Sequence, residues 1–312
     1  MKNLLVTLAD KNHIEQAKQL FSSVYFNAGW KWDYMLLAHE IPEAKLKWFR
    51  NKAILIKKCK PIYNKKDSAI FPTHLSKFYL FGTEFGKWKN IIYLDSDIIV
   101  RASLDDLIKI KGFAAVQDFC YPSLVNQFKK DQKLINKLKN DYSLKKPPFN
   151  TGVMVFSTDI IKKDTFSRLN NIFKIYKMIS ITQEQSLLNL FFQKKWINLP
   201  MIYNIPPYFL TKGYKIKAEN IKGIILHFSG RKPWNSKDMF YKEWKNNLDR
   251  AKDINVNKIQ KPVKKWNKQE IKEYSKYLRT KHLVFLLNRY IGFFGIFLKN
   301  NFPKLYSILK KC

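Results

Sequence analysis

The chain has 312 residues, 46% of them hydrophobic, which favours one large domain with a tail over two full domains. Its 58 Lys and Arg residues outnumber 24 Asp and Glu residues, and the formal net charge of +34 favours an anionic partner or surface. Nucleic acid is not the expected partner, because the Lys residues are spread through every segment and no helix-turn-helix, zinc-finger or RNP-like motif accompanies them.

Strand and helix patterns alternate along the first half of the chain and continue to about residue 230. Strands are predicted over residues 3–8, 33–38, 53–57, 91–94, 113–116, 152–156 and 224–228. Helices are predicted over residues 12–27, 42–51, 73–85, 159–178 and 183–193, with a further helix and loop in the polar stretch 122–146. This order predicts an α/β fold with a mixed, mostly parallel sheet, flanked by right-handed crossover helices.

A buried strand that ends on two carboxylates is the most informative local feature. Residues 91–94 are four consecutive apolar side chains, the pattern of a strand covered on both faces, and Asp95 and Asp97 follow two positions apart. In an extended backbone that spacing aims both side chains the same way. Ligands bind at the carboxyl ends of strands in open α/β sheets, so this pair is a candidate site for a divalent cation and a diphosphate.

Three later segments, taken in their order and spacing along the chain, carry a family resemblance. They are Pro-Phe-Asn-Thr-Gly-Val-Met-Val-Phe at 148–156, Thr-Gln-Glu-Gln-Ser-Leu-Leu-Asn-Leu-Phe-Phe at 182–192 and Ile-Ile-Leu-His-Phe-Ser-Gly-Arg-Lys-Pro-Trp-Asn at 224–235. Together with the acidic motif, they resemble glycosyltransferase family 8, the group of glycogenin and bacterial lipooligosaccharide galactosyltransferases. The first strand, Leu-Leu-Val-Thr-Leu-Ala-Asp at 4–10, and the helix Thr-His-Leu-Ser-Lys-Phe at 73–78 are also similar to the family pattern.

The resemblance implies a GT-A fold and a metal site. Asp95 and Asp97 match the family's acidic motif, and His227 matches its third metal ligand. Two carboxylates and one imidazole at an open octahedral site favour Mn²⁺, with Mg²⁺ as the alternative. The expected donor is a UDP-sugar, whose departing diphosphate a metal and a Lys would neutralise. A hydrogen-bonded core histidine is the structural alternative for His227.

The resemblance also assigns the donor-binding positions. Lys232 corresponds to the family's diphosphate-binding Lys, and Gly230 would let the backbone approach the phosphates. Only Arg231 separates the two, one residue fewer than usual, so either the loop is shorter or Arg231 shares the phosphate role. The uridine is expected at four residues of the first strand and its loop: Thr7, Leu8, Ala9 and Asp10.

Four further residues are expected around the donor sugar. Lys77 and Asn150 resemble the residues that hold its hydroxyls, and Gln185 matches the amide beside the anomeric carbon. The family's Asp at position 184 is Glu184 here, one methylene longer, which would alter hydroxyl recognition or the placement of the carboxylate. Lys77, Glu184 and Gln185 are therefore the candidate catalytic residues, while a surface Lys and a turn Asn are the structural alternatives at positions 77 and 150.

The expected activity is metal-dependent, retaining transfer of glucose or galactose from a UDP-sugar to a saccharide or glycolipid acceptor. A cell-envelope glycan such as lipopolysaccharide or capsule is the expected acceptor. Two alternatives stay open: a glycogenin-like self-glucosylating enzyme and a non-enzymatic basic protein that binds membranes or polyanions. Retention of both Asp residues, the His and the Lys favours the enzyme, because a binding protein would not need them together.

Composition changes near residue 250, which predicts a catalytic domain over 1–250 and a basic tail over 251–312. The tail holds 15 Lys and Arg against three acidic residues, a balance of +12, and includes the apolar stretch 283–298. Those 16 residues would rise about 24 Å as a helix, short of a roughly 30 Å hydrocarbon core. The tail is therefore predicted to attach to an anionic membrane surface, with packing on the catalytic domain as the alternative.

The expected location is the cytoplasm, peripheral on the inner face of the cell membrane. The N-terminal residues lead directly into a strand and show no signal-peptide pattern. The cysteines, Cys59, Cys120 and Cys312, lack any Cys-x-x-Cys spacing, so neither a zinc site nor a disulfide framework is expected.

Overall fold

The structure, a computed structural model, describes residues 1–63 and 70–301, and the side chains of residue 286 and residues 288–300 lie outside the described part. The strands are β1 (Leu4–Ala9), β2 (Asp33–His39), β3 (Leu55–Cys59), β4 (Asn90–Leu94), β5 (Ile98–Val100), β6 (Phe113–Gln117), β7 (Phe149–Ser157), β8 (Trp196–Asn198) and β9 (Ile225–His227). The helices are α1 (Ile14–Ser23), α2 (Glu43–Asn51), α3 (Pro72–Leu75), α4 (Gln132–Asp141), α5 (Thr165–Tyr176), α6 (Glu184–Phe192), α7 (Pro207–Lys212), α8 (Tyr241–Arg250) and α9 (Lys268–Asn301).

A seven-stranded sheet in the order β3-β2-β1-β4-β7-β6-β8 forms the centre of the fold. The four strands β3, β2, β1 and β4 run parallel, and β8 is parallel to β6. Strand β7 lies antiparallel between β4 and β6, which makes the sheet mixed. The predicted mixed, mostly parallel sheet flanked by helices is therefore confirmed. A second, two-stranded sheet pairs β5 with β9.

Alternate side chains of the central strands supply two apolar cores on opposite faces of the sheet. In β1, Leu5 joins one core, while Leu4 and Val6 join the other. All five residues of β4 are buried, as the sequence pattern of a doubly covered strand predicted. This double burial holds the end of β4, and with it Asp95, at a fixed place between β1 and β7.

Two predicted local structures differ in the observed fold. The predicted helix 73–85 is helical only to Leu75 and continues as two 3₁₀ segments, Ser76–Phe81 and Thr83–Lys87. Gly82 separates them in an extended conformation, with φ −75° and ψ 148°, because glycine opposes a continuous helix. The strand predicted over 152–156 begins earlier, because β7 starts at Phe149, whose N–H donates to Asn189 Oδ1 at 2.8 Å.

Much of the chain beyond residue 250 packs against the main domain. Tyr25 donates its hydroxyl to the Asn255 carbonyl at 2.8 Å, and the Val263 N–H donates to the Asn27 carbonyl at 2.9 Å. Leu278 of α9 is buried in the larger core. Among the described residues, no helix is long and apolar enough to cross a membrane. The domain boundary at residue 250 stays a prediction, and these contacts cross it.

Candidate metal and nucleotide-sugar site

Two short strands bring His227 to the acidic motif. Asp95 and Asp97 form the turn between β4 and β5, and β9 pairs antiparallel to β5 with Ile98 opposite His227. The Phe228 N–H donates to the Asp97 carbonyl at 3.0 Å, which extends the pairing of the two strands by one residue. Residues about 130 positions apart in sequence are thus set side by side by β-sheet register.

One ligand atom from each of Asp95, Asp97 and His227 lies within 4.8 Å of the other two. His227 Nε2 lies 3.4 Å from Asp97 Oδ1 and 3.9 Å from Asp95 Oδ2. Lys77 Nζ lies 2.9 Å from Asp95 Oδ1 and 3.2 Å from Asp95 Oδ2, and Lys232 Nζ lies 2.5 Å from Asp97 Oδ2. Each carboxylate thus has one oxygen facing His227 Nε2, and Lys77 also contacts that oxygen of Asp95.

The residues fit a divalent cation by their donor chemistry. His227 Nδ1 lies 2.9 Å from Asn204 Oδ1, while Asn204 Nδ2 donates to Asn150 Oδ1 at 2.9 Å. Asn204 Oδ1 must then accept from Nδ1–H, which leaves the Nε2 lone pair facing the carboxylates, the arrangement of a metal-binding histidine held by an outer hydrogen bond. Two carboxylate oxygens and an imidazole nitrogen suit a divalent cation.

Gly152 of β7 makes room for the histidine ring. A Cβ at this position would lie 2.2 Å from His227 Cε1, closer than side-chain atoms can approach. The Gly152 carbonyl also accepts a hydrogen bond from the Asp95 N–H at 2.9 Å. Position 152 therefore needs glycine because His227 and Asp95 both lie against its backbone.

Lys232 and Arg231 have separate partners. Besides its contact with Asp97, Lys232 Nζ donates to the Phe228 carbonyl at 2.8 Å. Burial alone would raise the pKa of Asp97, but the His227 imidazole in its protonated form, together with the charge and hydrogen bond of Lys232, outweighs it and holds that pKa well below its ordinary value. Arg231 Nε lies 2.9 Å from Oδ2 of the fully buried Asp238 carboxylate. This contact gives Arg231 a partner within the loop, and its sharing of the phosphate role stays a prediction.

A buried ionic network adjoins the acidic motif. Lys77 Nζ lies 2.7 Å from Glu184 Oε1 as well as near Asp95, and Glu184 Oε2 lies 3.1 Å from His74 Nδ1. Burial would lower the pKa of Lys77, but Asp95 and Glu184 raise it above its ordinary value. Burial would likewise raise the pKa of Glu184, which Lys77 and His74 lower. Lys77 is 4% exposed and lies between two carboxylates, which excludes the predicted alternative that it is a surface residue.

Gln185 at the start of α6 is fixed in one orientation. Its Nε2 donates to Asp118 Oδ2 at 2.7 Å, and its Oε1 accepts from Asn150 Nδ2 at 3.1 Å and from the Thr151 N–H at 3.2 Å. Its two amide atoms therefore have different partners, and a flipped amide would lose them all. The structure thus brings Gln185 and Asn150 together, as the donor-sugar assignment requires.

The predicted uridine-binding residues lie on the same edge of the sheet. In the parallel β1–β4 register Val6 is opposite Tyr93, so the end of β1 lies beside Asp95. Thr7, Leu8 and Ala9 are buried. Asp10 Oδ1 accepts from the Asn12 N–H at 2.8 Å and lies 2.7 Å from His13 Nδ1, so it shapes the loop after β1. Contact of these residues with uridine stays a prediction, as does the phosphate role of Gly230.

Sequence reasoning missed several polar residues around the predicted ones. Asp118 follows the predicted strand 113–116, so the rule that placed Asp95 at a strand end could have found it. His74 lies within the segment 73–78 that is similar to the family pattern. Its pairing with Glu184 depends on a contact between residues 110 positions apart, which no local pattern marks. Asn204, which fixes the His227 ring, lies in an irregular segment with no motif to mark it.

Comparison with known proteins identifies the group to which these features belong. The sequence model described as glycosyl transferase family 8 matches residues 4–238. Galactinol synthase 1 of Ajuga reptans is 28% identical over 243 residues, covering 73% of this chain and 68% of its own length. Glycosyltransferase GlyF of Streptococcus pneumoniae is 29% identical over 174 residues, covering 52% of this chain and 38% of its own length. The chain thus spans about two thirds of the length of the first relative and little more than a third of the length of the second.

A solved structure supports the same fold. An active-site mutant of LgtC aligns with a TM-score of 0.60 and 17% identity, covering 79% of this chain and 95% of LgtC. LgtC, a galactosyltransferase, has also been solved in complex with donor and acceptor sugar analogues, and that structure aligns with a TM-score of 0.56. The similarity confirms the predicted GT-A fold.

Proposed function

This chain belongs to glycosyltransferase family 8, and from that premise we propose that it transfers glucose or galactose from a UDP-sugar to a saccharide acceptor, with retention of configuration. The observation that carries the proposal is the convergence of Asp95, Asp97 and His227, with Lys232 beside them. A diphosphate leaving group develops negative charge, and cations placed where that charge develops lower the barrier.

Each residue has a proposed part in this reaction. A divalent cation held by Asp95, Asp97 and His227, as Mn²⁺ or Mg²⁺, would neutralise charge on the diphosphate. Lys232 contributes a second, mobile charge on the leaving group. Lys77 and Asn150 orient the donor sugar through its hydroxyls, Glu184 holds Lys77 in place, and Gln185 directs its fixed amide towards the anomeric carbon.

A donor screen tests the proposal. The full chain is incubated with individual UDP-sugars with and without Mn²⁺, and both sugar release and thermal unfolding are measured. Binding of the right donor raises the apparent unfolding temperature by mass action. We expect one UDP-hexose to give Mn²⁺-dependent hydrolysis and protection, and Asp97→Asn to abolish both. Protection by polyanions alone, with no UDP-sugar effect, would favour the non-enzymatic alternative.

We also propose that the acceptor is part of a cell-envelope glycan, such as lipopolysaccharide or capsule, and that α9 holds the enzyme on the inner, anionic face of the cell membrane. The outer face of α9 supports this, because Leu283 and Leu287 are 60% and 61% exposed and Val284 is 49% exposed. Exposed Lys276 and Arg279 lie on the same helix. Apolar burial combined with attraction of cations to acidic lipid is the basis of interfacial helix binding.

Vesicle sedimentation tests the membrane proposal. The full chain, a Leu283→Glu/Leu287→Glu variant and a chain ending at Leu287 are mixed with vesicles that contain or lack acidic lipid. We expect the full chain to bind acidic vesicles in a salt-sensitive way, since exposed charges are screened by salt. Both altered proteins should bind less while keeping donor hydrolysis. Equal binding of all three would contradict an attachment through α9.

A further inference from the structure

One side of α9 is docked on the catalytic domain, opposite the exposed apolar residues. Tyr274 accepts a hydrogen bond from the Lys222 N–H at 3.0 Å, and Leu278 is 1% exposed. One turn further, His282 Nδ1 lies 2.7 Å from the Tyr214 hydroxyl. The Phe285 ring packs 5.2 Å from Phe209, centroid to centroid. The docked face therefore continues at least to residue 285.

This docked face reaches the segment that follows β6. The Phe119 ring lies 6.4 Å from the His282 ring in an edge contact and 6.2 Å from Phe209. Phe119 is next in sequence to Asp118, the residue whose carboxylate accepts the Gln185 amide. A short path of packed side chains thus joins α9 to the candidate catalytic amide.

Asp118 depends on this segment for its orientation. Its N–H donates to the Pro148 carbonyl at 2.9 Å, and its Oδ1 accepts from the Cys120 N–H at 2.7 Å, which leaves Oδ2 for Gln185. Both hydrogen bonds of Asp118 to backbone require residues 118–120 to keep their present path. Phe119 is the side chain within that path that contacts α9.

We propose that the first half of α9 is a positioning element of the active site: His282 packs on Phe119 and thereby holds Asp118 against Gln185. The inference rests on the proposed transferase activity. It gives α9 two roles on two faces, support of the reaction by the inner face and membrane attachment by the outer one. Loss of the inner contact lowers turnover and leaves donor binding intact, because Asp97, His227 and Lys232 lie on other elements.

Steady-state kinetics with a soluble acceptor test the proposal. We expect His282→Ala and Phe119→Ala to lower kcat about tenfold, less than the roughly hundredfold that a 1 Å misplacement can cost, with donor KM within about twofold of wild type. Phe119→Tyr keeps the ring and should restore turnover. Thr280→Ala, an exposed position on the same helix, is the matched control. Unchanged kcat in both alanine variants would overturn the proposal.

A double-mutant cycle asks whether α9 acts through the amide. In a Gln185→Ala background, His282→Ala should cause little further loss of kcat, because the group that it positions is already absent. Additive losses would contradict positioning and indicate general destabilisation.

Hydrogen exchange supplies a measurement that does not need turnover. The Cys120 amide is protected by Asp118, so its exchange should quicken in His282→Ala and stay slow in Thr280→Ala. A wild-type protein without transfer or hydrolysis would refute the proposed function instead, and exchange alone would then decide whether α9 holds residues 118–120. Unchanged exchange in His282→Ala would overturn that contact.

Discussion

The acidic motif and the neighbouring ionic network hold their charges at different depths. Asp95 and Asp97 are 25% and 16% exposed at their side chains, and each directs one oxygen towards His227. Lys77 and Glu184 are only 5% and 3% exposed, and each charge is matched inside the protein. Burial is expensive for an unmatched charge and tolerable for a matched one.

The difference indicates what each region is for. The acidic motif places carboxylate oxygens beside an imidazole, and an added cation would be attracted to them. This arrangement is suited to binding a metal ion. The ionic network is already satisfied, so it is arranged to hold the shape of the donor-sugar pocket. Variants in the first region should therefore affect rate, and variants in the second should affect stability. The predictions below test that division, from the largest expected effect to the smallest.

Removal of the Lys77 charge should have the largest effect on stability. In Lys77→Met, Glu184 and Asp95 remain buried or partly buried without their shared cation, and breaking such a pair costs about 3–5 kcal/mol. Urea unfolding would measure the loss, with the exposed Lys89→Met as control. A loss below about 0.5 kcal/mol, the usual size of a surface change, would mean that the network does not hold the fold.

Asp97→Asn should abolish transfer with the fold retained. Loss of a charged metal ligand removes several kcal/mol of charge stabilisation, so the rate should fall at least about a hundredfold. Asp95→Asn should lower the rate similarly, and both variants should lose some stability, since Asp95 accepts from Tyr93 and Lys77 and Asp97 accepts from Lys232. Turnover at saturating Mn²⁺ and circular dichroism would be compared. Near-normal turnover in Asp97→Asn would show that the metal assignment is wrong.

Gln185→Ala should lower kcat about tenfold with a smaller change in donor KM. Its amide is fixed before substrate binds, so its loss removes an interaction made mainly in the transition state. Asn189→Ala is an instructive contrast, because Asn189 lies one turn further along α6 and, within the described part of the chain, bonds backbone groups of Phe149 and Gln185. Asn189→Ala should lower the stability of the fold more than it lowers kcat. A change of Gln185→Ala confined to KM would contradict the catalytic role.

The smallest effect should be a pH dependence of the stability that His74 contributes. Burial would lower the pKa of His74, but the hydrogen bond and charge of Glu184 raise it, with Lys77 opposing and Asp95 assisting. A raised folded pKa means that the stabilisation is fully present below the unfolded value of about 6.5 and is lost as pH rises through the folded value. The Tm difference between wild type and His74→Gln should therefore shrink as pH rises above 6.5. A constant difference would show that His74 is not charged there.

Regular, doubly buried elements of the fold were predictable from sequence. Strand β4 was predicted within one residue of its observed start because four apolar residues ending on a polar turn leave few alternatives. The helix predicted at 73–85 was wrong beyond Leu75, because apolar residues in 3₁₀ turns have nearly the same spacing as in an α-helix. The local pattern of apolar residues does not distinguish a 3₁₀ segment from an α-helix, even where Gly82 interrupts the helical conformation.

The candidate site was predictable where family motifs mark it and not where tertiary contacts build it. The grouping of Asp95, Asp97 and His227 was inferred from the resemblance and is found in the structure. Asp118 and Asn204 fix neighbouring side chains through single hydrogen bonds across 67 and 23 residues. Such pairings depend on the path of the whole chain, which no local sequence pattern records.

The contact of Tyr25 with Asn255 and Lys258 bears on how the protein is made. These hydrogen bonds join residues 230 and 233 positions apart, so the turn after α1 leaves the ribosome long before its partners do. At about 5–20 residues per second, synthesis leaves that surface without its cover for at least about ten seconds. Slow closure of such distant contacts exposes apolar surface to aggregation. We therefore expect the yield of folded protein to depend on chaperones during synthesis, and to fall steeply when the chain is shortened before Leu278.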